Sequence, residues 1–149
     1  MANGKTLKAK TERDSMENKI KVLHVDDDDD IRLITRLALS LNPNFEIVQC
    51  CSGFEAIEKA GSFAPDVFLL DMMMPGMTGE ETWQTLVKDE KLVDVPAIFM
   101  SAKAEQSFAT RLISKGAAAI ITKPFDPMTL CDQIENVLIN LPSPLSEAI

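Results

Sequence analysis

Ile20-Lys-Val-Leu-His-Val25 runs without a break into Asp26-Asp-Asp-Asp-Asp30 and then Ile31-Arg32, and the fold turns on how this stretch is read. The first part is too short for a stable helix and is almost wholly aliphatic, so it reads as a strand buried on both faces. Five consecutive carboxylates repel one another, and few folds gather them without a reason. A helix N-terminus tolerates such a run, because its dipole favours each exposed anion by ~0.3–1 kcal/mol. The run therefore divides: Asp26 and Asp27 sit at the strand's carboxyl end, while residues 28–30 cap and open the first helix.

Outward from this stretch the pattern repeats. Short apolar runs recur at residues 45–50, 67–70, 97–100 and 117–121, each of strand length. Between them lie helical stripes: Ile31, Ile34, Ala38 and Leu41; Phe54, Ile57 and Ala60; Trp83, Leu86 and Val87; Phe108, Leu112 and Ile113; Leu130, Ile134, Val137, Leu138 and Leu141. Ser52-Gly-Phe-Glu55 and Thr78-Gly-Glu-Glu81 fit the capping box, and Asp126-Pro127 fits an N-cap followed by proline. Five strand-then-helix units in series favour an α/β sandwich with a parallel sheet and right-handed crossovers. Neither GxGxxG nor GxxxxGK[ST] is present, so the common nucleotide fingerprints are missing.

Composition narrows the class. The chain has 149 residues with 46% hydrophobic and 26% charged, enough to bury one core. Residues 20–141 are expected to form the domain, with a flexible polar tail at 1–19 and a short tail at 142–149. Residues 1–21 carry six basic and three acidic side chains, so the remainder holds eleven net negative charges within the chain's −8. That balance argues against a nucleic-acid partner, whose phosphates call for clustered Lys and Arg. No apolar run is long enough to cross a bilayer and no secretory signal opens the chain, so no membrane contact and a cytoplasmic location are expected. Cys50, Cys51 and Cys131 lack metal-site spacing and read as reduced thiols in or near the core, and His24 as a packed strand residue.

In an open parallel sheet, ligands bind beyond the carboxyl ends of the strands. Those ends deliver Asp26 and Asp27 from the first strand, Asp71 from the third, Ser101 from the fourth and Lys123 from the fifth. Clustered carboxylates repel by about 4 kcal/mol per pair at 4 Å and an effective dielectric near 20. A hard cation relieves this, and Mg2+, which takes one or two carboxylates with waters and a phosphate oxygen, suits the set. A carboxylate can also attack phosphorus to form an acyl phosphate. Mg2+, the Lys123 ammonium and the Ser101 hydroxyl could then each neutralise a phosphoryl oxygen.

Four motifs in order, Val25-Asp-Asp-Asp-Asp-Asp-Ile-Arg32, Asp71-Met-Met-Met-Pro-Gly-Met-Thr-Gly79, Ser101-Ala102 and Thr122-Lys-Pro-Phe125, closely resemble the receiver domain of bacterial two-component response regulators. The resemblance implies a flavodoxin-like three-layer sandwich, with a five-stranded parallel sheet of order 2-1-3-4-5 and five helices. It implies that Asp71 accepts a phosphoryl group from a sensor histidine kinase or histidine phosphotransfer protein. Asp27 and Asp71 would ligate Mg2+ directly, Asp26 largely through water, and Met73 through its backbone carbonyl. Ser101 would hydrogen-bond the phosphoryl oxygen, Lys123 would pair with it, and the Lys123–Pro124 peptide would be cis. Because only eight residues follow Leu141, a stand-alone, non-enzymatic receiver is expected. Its downstream protein contact would lie on the face formed by helix 4, strand 5 and helix 5, roughly residues 105–115, 117–122 and 127–141.

Two features depart from the family's usual pattern. Ile120 stands where receivers carry Tyr or Phe as a rotameric switch. Met73 and Lys103 flank the phosphoryl position, and a thioether cannot orient an attacking water, which implies slow self-dephosphorylation. Two other classes stay open: a receiver-fold adaptor that works without phosphorylation, and a phosphotransferase or phosphatase acting on small molecules. For a haloacid-dehalogenase-type phosphatase, Met73 occupies the place of the second Asp. The Met72-Met-Met74 run reads as loop packing and Trp83 as a partly buried anchor.

Overall fold

The computed structural model describes residues 19–142; the tails expected at either end fall almost wholly outside them. Five strands, β1 (Ile20–Val25), β2 (Phe45–Cys50), β3 (Val67–Asp71), β4 (Ala97–Ala102) and β5 (Ala119–Lys123), pair in parallel in the order β2-β1-β3-β4-β5. Five α-helices alternate with them: α1 (Asp29–Leu39), α2 (Gly53–Phe63), α3 (Gly79–Leu86), α4 (Gln106–Ser114) and α5 (Leu130–Ile139). A single 3-10 turn, Lys103–Glu105, leads into α4. This is the flavodoxin-like arrangement expected.

Strand alternation sorts the core into two layers. Leu23, Val25, Phe68, Leu70, Ala97 and Phe99 face α2, α3 and α4, where Ala56, Ala60, Leu86, Ala109 and Leu112 meet them. Val22, Val67, Leu69, Ile98 and Met100 face the other way, against Ala38 and Leu39 of α1 and Leu130, Cys131 and Ile134 of α5. Apolar side chains on both faces are what a parallel sheet between two helical layers requires. Trp83 is half-buried and meets Phe99 edge-on, with ring centroids 5.4 Å apart.

Several local expectations shift. The buried stripe of α1 is Thr35, Ala38 and Leu39 with half-buried Ile31, whereas Ile34 and Leu41 are exposed. With Thr35, Ala38 and Leu39 turned to the sheet, Leu33, Ile34 and Leu37 point outward. Phe54 of α2 and Phe108 and Ile113 of α4 likewise face outward, and Ala56 and Ala109 take the inner positions. Thr78 and Glu81 form the full capping box, but Glu55 reaches past Ser52 to accept from the Cys51 N–H. Asp126 does not cap a helix: its carboxylate accepts from the Met128 N–H in a turn, and α5 begins only at Leu130. Cys50 and Cys131 are buried as expected, but Cys51, just past the end of β2, is exposed.

The C-cap of α2 is Ala64, held at φ +55°, a left-handed conformation that costs residues with a Cβ. Ala64→Gly is expected to stabilise the fold by ~0.5–1 kcal/mol, read as a rise in the urea midpoint; an unchanged or lower midpoint contradicts it.

Candidate functional site

All the chemistry-bearing residues lie on the carboxyl edge of the sheet. Asp26 and Asp27 follow β1, Asp71 ends β3, Ser101 is the penultimate residue of β4, and Lys123 ends β5. Carboxylate oxygens of Asp26, Asp27 and Asp71 lie within 4.8 Å of one another. Lys123 Nζ donates to Asp71 Oδ1 at 2.8 Å and stands 3.9 Å from Asp26 Oδ2. Ser101 is fully buried, and its Oγ and Asp26 Oδ2 have no hydrogen-bond partner among the described residues. Met73 turns its side chain outward, 52% exposed, while Met72 and Met74 pack into the core.

The backbone around this cluster is tightly held. Asp26 Oδ1 accepts from the Asp28 N–H, and Asp28 in turn caps α1 by accepting from the N–H groups of Asp30 and Ile31. Arg32 Nη1 donates to the Asp26 carbonyl at 2.6 Å, and Arg32 pairs with Asp29. Gln49 Nε2 bonds both the Arg32 carbonyl and His24 Nδ1, so β2 braces the same turn. On the other side, the Gly79 N–H donates to the Met72 carbonyl, and a Cβ on Gly79 would lie 2.1 Å from the Asp71 carbonyl oxygen. Only glycine lets the start of α3 sit against the backbone that carries Asp71. Arg32, Gln49 and the packing role of Gly79 are absent from the sequence reading, and only Gly79, inside a capping motif, gave any local signal.

Charge in the cluster is out of balance. Burial, with Asp71 and Asp27 adding to it against the Asp28 hydrogen bond and Lys123, pushes the Asp26 carboxyl up to about 6. Burial, outweighing Lys123 and reinforced by Asp27 and Glu105, also raises Asp71. Burial opposes the charge of Lys123, but the Asp71 bond, together with Asp26 and Glu105, holds its ammonium above the ordinary value. His24 is driven down to about 3, chiefly by burial, and stays neutral. One ammonium facing three carboxylates leaves room for a cation. An all-oxygen donor set with an unpartnered buried Asp26 oxygen fits a hard ion such as Mg2+.

A flavodoxin-like sheet that gathers carboxylates, a lysine and a buried hydroxyl on its carboxyl edge defines the receiver class of α/β domain. The chain belongs to that family: residues 22–135 match the response regulator receiver domain. It is 35% identical over 117 residues to the phosphate regulon transcriptional regulatory protein PhoB of Pseudomonas aeruginosa, covering 78% of this chain and 51% of that protein. It is 31% identical over 127 residues to hybrid signal transduction histidine kinase D of Dictyostelium discoideum, covering 85% of this chain and 8% of that one. Among solved structures, the chemotaxis response regulator CheY4 of Vibrio cholerae matches with a TM-score of 0.73 at 28% identity, over 80% of this chain and 99% of that one. The response regulator domain of Thermotoga maritima CheB matches at 0.68 and 26% identity, over 85% and 100%. The chain thus spans about half or less of these curated relatives. No helix among the described residues is long and apolar enough to cross a membrane.

Neutralising one member of the triplet tests the imbalance. Asp26→Asn is expected to raise Tm in the presence of a chelator by roughly 2–4 °C, the shift that about 1 kcal/mol produces in a chain of this size. Mg2+ is expected to raise the Tm of the unaltered protein, and Asp27→Ala to remove most of that rise. A chelator-state Tm below that of the unaltered protein for Asp26→Asn would show that the cluster does not repel.

Proposed function

We propose that this receiver accepts a phosphoryl group on Asp71 from the phosphohistidine of a sensor histidine kinase or histidine phosphotransfer protein. The observation that carries the reading is the Lys123 Nζ–Asp71 Oδ1 contact at 2.8 Å inside a triplet of carboxylates spanning 4.8 Å. A carboxylate oxygen of Asp71 attacks phosphorus, the P–N bond breaks, and its electron pair stays on the imidazole nitrogen, which takes a proton. Mg2+, held by Asp27, Asp71 and the Met73 carbonyl, with Asp26 acting largely through water, would neutralise charge on the transferring group. Lys123 pairs with a second phosphoryl oxygen. Ser101, whose buried hydroxyl lacks a partner, donates to a third.

The phosphorylated state then passes to a protein partner across α4, β5 and α5. Large apolar side chains exposed there, Phe108, Ile113, Met128 and Ile139, favour a protein contact over nucleic acid. As part of this reading the protein resides in the cytoplasm. Ile120 in β5 favours a second reading, an adaptor that binds its partner without phosphate.

Incubation with acetyl phosphate and Mg2+ is expected to add one phosphate, seen by intact mass, and Asp71→Asn to abolish it. No adduct in either protein supports the adaptor, and turnover of small phosphoesters supports a phosphatase. Because Met73 offers no polar group to an attacking water, phospho-Asp71 is expected to be long-lived. Met73→Asn should shorten its lifetime several-fold, about 1 kcal/mol in barrier; an unchanged decay would remove Met73 from the account.

A further inference from the structure

We propose that the Glu105 carboxylate is an internal anion that holds the Ala102 N–H until a phosphoryl group on Asp71 displaces it. The inference rests on the reading of Asp71 as acceptor.

Three observations converge. Glu105 is half-buried, and its Oε1 accepts from the Ala102 N–H at 2.9 Å. Ala102 is the last residue of β4, and its N–H direction follows from the ladder. The Met100 carbonyl accepts from the Met72 N–H on the β3 side. Backbone groups two residues on along a strand point the same way, so the Ala102 N–H projects past the end of β3, where Asp71 stands. Glu105 therefore places its carboxylate on a donor that faces the acceptor, close enough to act on both Asp71 and Lys123.

A phosphoryl group on Asp71 brings nearly two negative charges and oxygens that seek N–H donors. It meets Glu105 as a competitor for Ala102 and as a like charge. Expelling Glu105 frees that donor for a phosphoryl oxygen and uncaps the 3-10 turn at Lys103–Glu105. The turn runs directly into α4, whose own N-terminus has no side-chain cap. Loss of one hydrogen bond at the site thus loosens the first turn of the helix on the proposed output face, and it needs no aromatic ring at position 120.

Wild type, Glu105→Gln and Glu105→Ala are phosphorylated as full chains by acetyl phosphate with Mg2+, followed by intact mass and by amide hydrogen exchange over residues 102–110. The glutamine keeps an acceptor for Ala102 but removes the charge. It is expected to be phosphorylated about three- to tenfold faster, the size of removing one partly solvated like charge. Its exchange before phosphorylation should match wild type, and wild-type exchange over residues 103–110 should rise on phosphorylation. A wild-type rate for Glu105→Gln, with the adduct on Asp71, overturns the proposal. So does acceleration confined to Glu105→Ala and accompanied by raised exchange, which would make Glu105 a turn cap only. Absence of any adduct in all three proteins overturns the acceptor reading instead.

Discussion

The ion pair between Lys123 and Asp71 is the contact around which the carboxyl edge is organised. It joins the ends of β5 and β3 across the intervening β4, at 2.8 Å, in surroundings that exclude most solvent. Burial makes each partner unfavourable alone, since removing one would leave the other charged and unpaired. Yet a single ammonium cannot neutralise Asp26, Asp27 and Asp71 together. The folded protein keeps an electrostatic deficit at this edge, and stability is given up there.

A deficit of this kind persists only if the backbone cannot relax away from it. Four elements outside the site provide the restraint. Arg32 of α1 grips the Asp26 carbonyl, Gln49 of β2 ties Arg32 to His24 of β1, and Gly79 brings the first turn of α3 against the Asp71 backbone. The acidic run itself contributes: Asp28 spends its carboxylate on the N–H groups that open α1, which fixes the direction in which Asp26 and Asp27 leave the strand. Capping of α1 and placement of two site carboxylates are therefore one device made from adjacent residues.

That division of the acidic run was legible from sequence because strand ends and helix caps each carry a local signature. The sheet order was legible only by resemblance, since alternation of strands and helices does not distinguish one doubly wound order from another. What escaped was whatever depends on how close two elements approach. The inner face of α1 is Thr35, Ala38 and Leu39 rather than Ile34 and Leu41, a choice between overlapping apolar faces that a count of spacings cannot foresee. Asp126-Pro127 has the letters of a helix start, but Asp126 satisfies the Met128 N–H in a turn first. The long-range bonds of Arg32 and Gln49 have no local trace, since each joins residues brought together only by the sheet.

The missing aromatic at position 120 is the point on which output turns. Ile120 is paired in the ladder with Phe99, and Phe99 is fully buried with its ring against Trp83, so the aromatic bulk of this region is locked in the core and cannot swing. On the proposed reading, a change at Asp71 reaches α4 by another route. The exposed side of α4 is tied to α3 through one carboxylate, Glu80, which accepts from Arg111 at 2.7 Å and Lys115 at 2.5 Å. The Glu80 side chain is 16% exposed and its two cations about half-exposed, and pairs this open to water on one side contribute on the order of 1 kcal/mol each. On the proposed reading, the negative charge that a phosphoryl group brings beside Glu105 is of the same order as each arm of this tether, so the route to α4 runs through charge rather than aromatic volume.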